Sequence, residues 1–281
     1  MNSLIMQKWN LRGGVLMIRV AVAGALGKMG QESCKAILNA DGMELVGVVD
    51  NKNLESNFAA LIGIPDVNVF ISDNLEEVLD RVKPDVLVDF TRPGVVQENT
   101  ESALRYGVRP VIGTTGMATS EIQHFIKLSS EKKIGGLIAP NFAIGALLMM
   151  KFAAEAAKYF PHVEIIELHH DQKMDAPSGT ALKTAEAIAS VRERMEQGMP
   201  GEFEKIEGAR GGNYEGMRIH SVRLPGYVAH QEVLFGGIGQ TLSIRHDSIS
   251  RESFMPGLII AIHKVMGLDK IVYGLENLLF D

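Results

Sequence analysis

The run Ile18-Arg19-Val20-Ala21-Val22-Ala23-Gly24-Ala25-Leu26-Gly27-Lys28-Met29-Gly30 joins a short β-rich segment to a glycine-punctuated turn, and helical sequence then continues to about Ala40. A glycine-rich turn between a strand and a helix lets the backbone approach a pyrophosphate closely, and the helix N-terminus favours its charge. The spacing is Gly-x-x-Gly-x-x-Gly rather than Gly-x-Gly-x-x-Gly, so a tight strand-to-helix turn without a ligand is the competing reading. Asp50 bears on that choice. It ends a second strand, Leu45–Val49, 20 residues after Gly30, where an acidic side chain can take the adenosine ribose hydroxyls. A lone Asp at a strand end is usually a turn residue; its position relative to the glycine turn favours the nucleotide. Asp50 favours NADH, because a 2′-phosphate would meet a carboxylate, whereas Lys28 and Lys52 offset this. We expect both NADH and NADPH to be used.

Outward from this turn, strand and helix patterns alternate. Val67–Phe70 is a weak strand, and Asp73 with Glu76 has the spacing of a capping box that opens a helix through Val82. Val86–Phe90 reads as a strand, Gly94–Tyr106 as a helix and Val111–Ile112 as a strand. Ser120–Lys132 reads as a helix and Ile134–Ala139 as a strand. Nearly continuous apolar strands between helices indicate a parallel sheet covered on both faces, hence a Rossmann-like, doubly wound α/β domain. Phe90-Thr91-Arg92-Pro93, Gly113-Thr114-Thr115-Gly116 and Ala139-Pro140-Asn141-Phe142 follow its strands, at the edge where open α/β sheets bind ligands.

Beyond Asn141 the rhythm changes. A long apolar helix, Ile144–Tyr159, leads to a strand, Val163–Leu168, and a helix, Thr180–Val191. Gly198–Gly216, rich in glycine and charge, reads as an exposed excursion. Met217–Arg223, Tyr227–Phe235 and Gln240–His246 follow as strands with no helix between them, joined by turns at Pro225-Gly226 and Gly236-Gly237. This predicts a second, α+β domain with a mixed or antiparallel sheet. Ser250 can cap a last helix running to about Val265.

The composition is that of a globular chain with ample core: 281 residues, 46% hydrophobic and 22% charged. A net charge of −6 argues against a general nucleic-acid binder. One cysteine, Cys34, permits no disulfide within the chain and fits a reducing, cytoplasmic compartment; it reads as a small buried residue on a helix. No apolar run spans a bilayer, so no membrane association is expected. Met1–Leu16 has no convincing signal-peptide pattern and reads either as a loose extension, in which Trp9 is poorly packed, or as a result of start-codon choice. His220, His230 and His246 are scattered, without metal-ligand spacing, and no metal is expected.

The densest chemistry is Glu164-Ile-Ile-Glu167-Leu-His169-His170-Asp171-Gln172-Lys173-Met-Asp175-Ala-Pro177-Ser178-Gly179-Thr180-Ala181, set where a strand ends and a helix begins. There a proton donor, a cation and free backbone N–H groups can converge on one small anion. The run resembles the signature of the dihydrodipicolinate reductase (4-hydroxy-tetrahydrodipicolinate reductase) family, and the resemblance covers nearly the whole chain from about Met17. It implies NAD(P)H-dependent reduction of a cyclic imine dicarboxylate in the diaminopimelate route to lysine. It further implies a dinucleotide-binding domain from residues 1–140 and 252–281, and a substrate-binding and oligomerisation domain from residues 141–251 that forms a homotetramer.

The cofactor would then be held by Gly24, Ala25, Leu26, Gly27, Lys28, Met29 and Gly30, and by Asp50. Gly113, Thr114, Thr115, Ala139, Pro140, Asn141 and Phe142 would hold the nicotinamide ribose and ring by that resemblance, and Arg92 would reach the phosphates or the substrate. The family often has an arginine after the acidic residue; Asn51 stands there, which argues against a strong NADPH preference.

His169 is the candidate general acid, since imidazole titrates near neutrality. The resemblance makes Lys173 a second cationic donor at the ring and His170 a substrate contact. Ser178, Gly179 and Thr180 open a helix and form a carboxylate site. Arg245-His246-Asp247-Ser248 and Arg251 read by default as a solvated rim, with Arg251 as a candidate supplementary carboxylate contact. Closure of the two domains is expected to exclude water. Two rivals remain: another NAD(P)-dependent dehydrogenase of this architecture, which should not need His169, Lys173 and Ser178–Thr180 in this arrangement, and a non-catalytic nucleotide sensor, which should tolerate their loss.

Overall fold

The computed structural model describes residues 11–12, 15–63 and 68–280. The chain divides into two compact units, Met1–Phe142 with Phe254–Asp281, and Ala143–Ser253.

A short antiparallel pair, β1 (Leu11–Arg12) and β2 (Val15–Leu16), precedes the first unit's sheet. The expectation for Trp9 lies outside the described residues, as does most of the expected N-terminal extension. The first unit then runs β3 (Ile18–Ala23), α1 (Lys28–Leu38), β4 (Met43–Val49), α2 (Phe58–Leu61), β5 (Ile71–Ser72), α3 (Leu75–Val82) and β6 (Val86–Asp89). It continues with α4 (Pro93–Arg105), β7 (Arg109–Ile112), α5 (Thr119–Lys132) and β8 (Gly136–Ile138). The strands form a seven-stranded parallel sheet in the order β14-β8-β7-β6-β3-β4-β5, with β14 (Ile271–Tyr273) supplied from the C-terminal segment. Parallel strands covered on both faces must be apolar throughout, and Val20, Ala21, Val22, Ala23, Val86, Leu87 and Val88 are fully buried. Strand order reverses between β3 and β6, so the crevice beyond their C-terminal ends is the ligand position of an open α/β sheet.

Several local expectations need correction. The third strand is Ile71–Ser72, one step beyond Val67–Phe70; Phe70 makes only an isolated bridge to Asn57, and Val67 lies outside the described residues. The cap of α3 is Asn74, whose side chain accepts from the Glu77 backbone N–H, rather than Asp73. Both residues have an acidic side chain three positions on, and spacing alone does not separate them. Strand β14 was not anticipated. Three residues pairing with β8, far away in sequence, leave almost no local signal.

The second unit contains α6 (Ile144–Ala157), β9 (His162–His169), α7 (Gly179–Ala189), β10 (Gly212–Tyr214), β11 (Met217–Arg223), β12 (Ala229–Gly237) and β13 (Gln240–Ser248). Its sheet has the order β10-β11-β9-β12-β13 and is mixed: β11 runs parallel to β9, while β12 runs antiparallel to both β9 and β13. Period-2 alternation sends Val163, Ile165 and Glu167 to one face of β9. There Val163 and Ile165 pack with Met149, Ala153, Ala181, Ala185, Ile188 and Phe235 in a core that joins the sheet to α6 and α7. The Gly198–Gly216 excursion is not wholly loop, because Gly212–Tyr214 joins the sheet edge as β10. Gly236-Gly237 is not a turn but the end of β12, and Ile238-Gly239 makes the turn, with Gly239 at φ +71°. Arg251–Phe254 forms a 3₁₀ turn leading to α8 (Met255–Val265), β14 and α9 (Glu276–Leu279).

Candidate active site

In the first unit the turn after β3 is built from close backbone approach. Gly24 has φ +75°, and a Cβ there would lie 2.5 Å from the Phe90 carbonyl oxygen. A Cβ on Gly30 would lie 2.0 Å from the Gly24 carbonyl oxygen, so α1 can start against the turn only with glycine at position 30. The Gly27 N–H donates to the Gly24 carbonyl at 3.1 Å, and Gly27 is the N-cap of α1 with no side-chain cap. Asp50 is tied to this turn: its Oδ2 accepts from the Leu26 N–H at 2.9 Å, and its Oδ1 from the Asn51 N–H at 2.8 Å. A cleft of about 430 Å³ opens here, lined among others by Gly24, Gly27, Asp50, Lys52, Thr91 and Arg92. Lys28, Lys52 and Arg92 are exposed, with no ion pair among the described residues. Glycines that a Cβ would disrupt, a helix N-terminus, a carboxylate and free cations fit a dinucleotide phosphate and its ribose.

The loops expected around the nicotinamide are joined by a residue that sequence reasoning passed over. Asp89, the fully buried last residue of β6, accepts at Oδ1 from the Thr91 N–H (2.9 Å), the Thr91 hydroxyl (2.7 Å) and the Thr114 hydroxyl (2.7 Å). Its Oδ2 accepts from the Asn99 side-chain amide at 2.7 Å. Its carbonyl accepts from the Gly113 N–H at 2.9 Å. Gly113 is held to glycine by the Phe90 ring, which a Cβ would strike, and Phe90 meets Phe142 edge-on at 5.9 Å between centroids. Ala139 is buried beside β7, its N–H donating to the Ile112 carbonyl, while Thr115 is exposed. Pro140 and Asn141 are half-buried.

In the second unit the strand period puts Glu167 and His169 on one face of β9. The His169 Nδ1 lies 2.5 Å from the Glu167 Oε2. Glu167 is fully buried, and it also takes both Arg223 amino groups at 2.7 and 2.8 Å and the Ser178 N–H at 3.1 Å. Burial alone would raise its pKa; hydrogen bonds from His169, Arg223 and Ser221 outweigh this and hold it at about 2. Against an ionised carboxylate, Nδ1 is assigned as the N–H donor, which leaves Nε2, on the opposite edge of the ring, to meet a ligand.

The strand ends at His169. The chain turns at once, with the Lys173 N–H donating to the His170 carbonyl at 3.2 Å. His170 is half-buried, and no partner for its ring is found among the described residues. Lys173 is not free: its ammonium pairs with Asp175 at 2.7 and 3.0 Å, and this pairing holds the Asp175 carboxyl below its ordinary range. Arg223 donates to the Asp175 carbonyl at 2.7 Å, tying that turn to the Glu167 cluster.

Ser178 is the N-cap of α7, and its hydroxyl accepts from the Ala181 N–H at 3.2 Å. Because its own N–H serves Glu167, the helix-start N–H groups left open are those of Gly179 and Thr180. Gly179 is exposed, with open space where a Cβ would stand. Arg251 lies on the 3₁₀ turn after β13 and makes no hydrogen bond to this cluster. Glu167 and Arg223 were missed as site residues. The i, i+2 spacing of Glu167 and His169 was a legible sign that they share a face. Arg223, 56 residues from Glu167, left none.

A dinucleotide cradle at a strand-order reversal in the first unit, and a carboxylate-oriented histidine with an open helix start in the second, define an NAD(P)H-dependent oxidoreductase. Comparison with known proteins gives the particular family. The family model described as "Dihydrodipicolinate reductase, N-terminus" matches residues 18–142, and that described as "Dihydrodipicolinate reductase, C-terminus" matches residues 145–279. The 4-hydroxy-tetrahydrodipicolinate reductase of Halalkalibacterium halodurans is 59% identical over 94% of this chain and its own whole length. That of Geobacillus kaustophilus is 56% identical with the same coverage. The solved structure of dipicolinate-bound dihydrodipicolinate reductase from Paenisporosarcina sp. TG-14 is 53% identical, covers 94% of this chain and 100% of its own, and superposes with a TM-score of 0.84. The chain belongs to the dihydrodipicolinate reductase family.

Among the described residues no helix is long and apolar enough to cross a membrane, and no group of three or more His, Cys, Asp or Glu side chains could hold a metal ion.

Proposed function

We propose that this chain reduces 4-hydroxy-tetrahydrodipicolinate to tetrahydrodipicolinate in the diaminopimelate route to lysine, with His169 as proton donor. The substrate name comes from relatives that share more than half their residues with this chain. The observation that carries the role of His169 is the clamp of Glu167 on its Nδ1.

A bound reduced nicotinamide would supply the hydride: once the 4-hydroxyl leaves as water and the ring becomes a conjugated C=C–C=N system, hydride adds to the carbon that bore the hydroxyl, and the C=C electrons shift toward the imine nitrogen. Gly24–Gly30 and Asp50 would hold the cofactor's phosphates and adenosine ribose, and Arg92, Gly113–Thr115 and Ala139–Phe142 would hold its nicotinamide half. His169 donates from Nε2 to the enamine-like anion, and Glu167 keeps the ring aimed and stabilises the imidazolium before donation. Lys173 turns from Asp175 toward the ring and places a positive charge beside the developing anion. The open N–H groups of Gly179 and Thr180, with the Thr180 hydroxyl, take one carboxylate at the start of α7. Ser178 acts mainly by shaping that helix start, because its N–H and hydroxyl oxygen are already engaged. His170 and Arg251 contact the second carboxylate. The dipicolinate bound in the Paenisporosarcina reductase is a planar ring with two carboxylates, the shape this site is read to fit.

The same reading makes the protein a cytoplasmic homotetramer. Self-association is supported by the face of the second sheet opposite α6 and α7, where Ile166, Leu168, Val222 and Leu234 are only half-buried; the number four and the compartment rest on the family resemblance. The test is to generate the cyclic imine from pyruvate and aspartate semialdehyde with the preceding synthase, and to follow oxidation of NADH and NADPH separately. Oxidation of both is expected. No oxidation by folded protein that still binds either cofactor would sink the assignment.

A further inference from the structure

Asp89 is a fully buried carboxylate with no cationic partner among the described residues. Burying an unpaired charge is costly, and stability alone gives no reason to keep one. What it contacts is informative. Four donors from three segments converge on its two oxygens: the N–H and hydroxyl of Thr91 after β6, the hydroxyl of Thr114 after β7, and the Asn99 amide on α4. Among the described residues no other side chain is seen to hydrogen-bond to both loops.

A threonine hydroxyl has one proton and two lone pairs. Both hydroxyl protons here go to the same Asp89 oxygen, 2.7 Å away in each case. What Thr91 and Thr114 can still offer a ligand is acceptor capacity alone. On the reading that these loops hold the nicotinamide half of the cofactor, the groups that can use such acceptors are the carboxamide amine and the ribose hydroxyls. We propose that Asp89 is a positioning residue which, by taking the hydroxyl protons of Thr91 and Thr114, fixes two loops as a pair of acceptors for the donor groups of the nicotinamide half.

The experiment measures dissociation constants by calorimetry for NADH and for the reduced 3-acetylpyridine analogue, which lacks the carboxamide amine. It also measures kcat and the isotope effect with 4-deuterated NADH, in wild type, Asp89→Ala, Asp89→Asn and Thr114→Val. Asp89→Ala is expected to weaken NADH binding about tenfold or more and to lower kcat by up to about 100-fold through misplacement of the ring. The isotope effect should rise. Asp89→Asn keeps an acceptor for the hydroxyls, and a flip of the Asn99 amide restores the fourth contact, so it should retain wild-type affinity within about threefold.

If the carboxamide is the partner, the preference for NADH over the analogue collapses in Asp89→Ala. If the ribose is the partner, both ligands weaken together. Unchanged affinities in Asp89→Ala with weakened ones in Thr114→Val would overturn the role of Asp89 while leaving the loop reading intact. Unchanged affinities in both would remove the loop reading itself. Loss of binding in Asp89→Asn equal to that in Asp89→Ala would also overturn the proposal, since charge rather than hydrogen bonding would then be at work. Should Asp89→Ala not fold, Asp89→Ser, one atom too short to reach both hydroxyls, takes its place: the same loss of NADH affinity, about tenfold, is expected, and unchanged affinity overturns the proposal.

Discussion

Replacing Glu167 by Gln tests the centre of the site, because it removes one charge and little volume. The folded protein holds this carboxyl at about 2 against an ordinary value of 4.5. Each pH unit of such displacement is worth about 1.4 kcal/mol, so the ionised form favours the folded state by about 3 kcal/mol. The folded-state value is the lower one. The contribution is therefore complete above about pH 5, and it is lost as pH falls through 4.5 toward 2. Glu167→Gln should then be less stable than wild type by about 3 kcal/mol at pH 6, because it also strands Arg223 beside a neutral amide. The gap should narrow by about 2 kcal/mol at pH 3.

Urea unfolding followed by far-ultraviolet circular dichroism at both pH values measures this directly. In the folded fraction at neutral pH, kcat should drop about 100-fold, since a misdirected imidazole loses most of what a general acid contributes. A stability gap equal at pH 6 and pH 3, or a folded variant with kcat within threefold of wild type, would refute the reasoning.

Three further outcomes follow from the structure. Gly30→Ala places a Cβ 2.0 Å from the Gly24 carbonyl oxygen and should weaken NADH at least about tenfold by pushing α1 off the turn, as read by calorimetry. Asp50→Ser removes the carboxylate that a 2′-phosphate would meet while leaving Lys28 and Lys52 in place. The ratio of kcat/KM for NADPH to that for NADH should rise about tenfold, and an unchanged ratio would take Asp50 out of cofactor choice. Cys34 is buried on α1, and burial pushes its thiol pKa far up, so it should react with a thiol reagent only after denaturation. Labelling of the native protein would contradict that placement.

The fold was legible wherever a segment carries its own periodicity. The apolar runs of β3, β6 and β9 and the glycine turn after β3 are local facts of sequence, and the parallel sheet follows from them. Strands β5 and β14 were misplaced or missed because two or three residues become a strand only through a distant partner, Ile271–Tyr273 through β8. The choice of Asn74 over Asp73 as helix cap turns on backbone angles that composition does not reveal. The site divides the same way. His169, Lys173 and Gly179–Thr180 stand out because they are crowded into one run. Asp89 looks like an ordinary strand-end acid until Thr91, Asn99 and Thr114 are seen to meet on it. Glu167 was in plain view within the signature, but its role depends on Arg223, which only the pairing of β11 with β9 brings alongside.

The most direct test of the account is the rate of His169→Gln with enzymatically generated cyclic imine and saturating NADH, set beside its affinities for NADH and dipicolinate. The account predicts that kcat collapses by about 100-fold or more while both affinities stay within a few-fold of wild type, because a proton donor is lost and the two binding sites are not. A kcat close to wild type in a folded His169→Gln protein would contradict it and move the proton donor elsewhere.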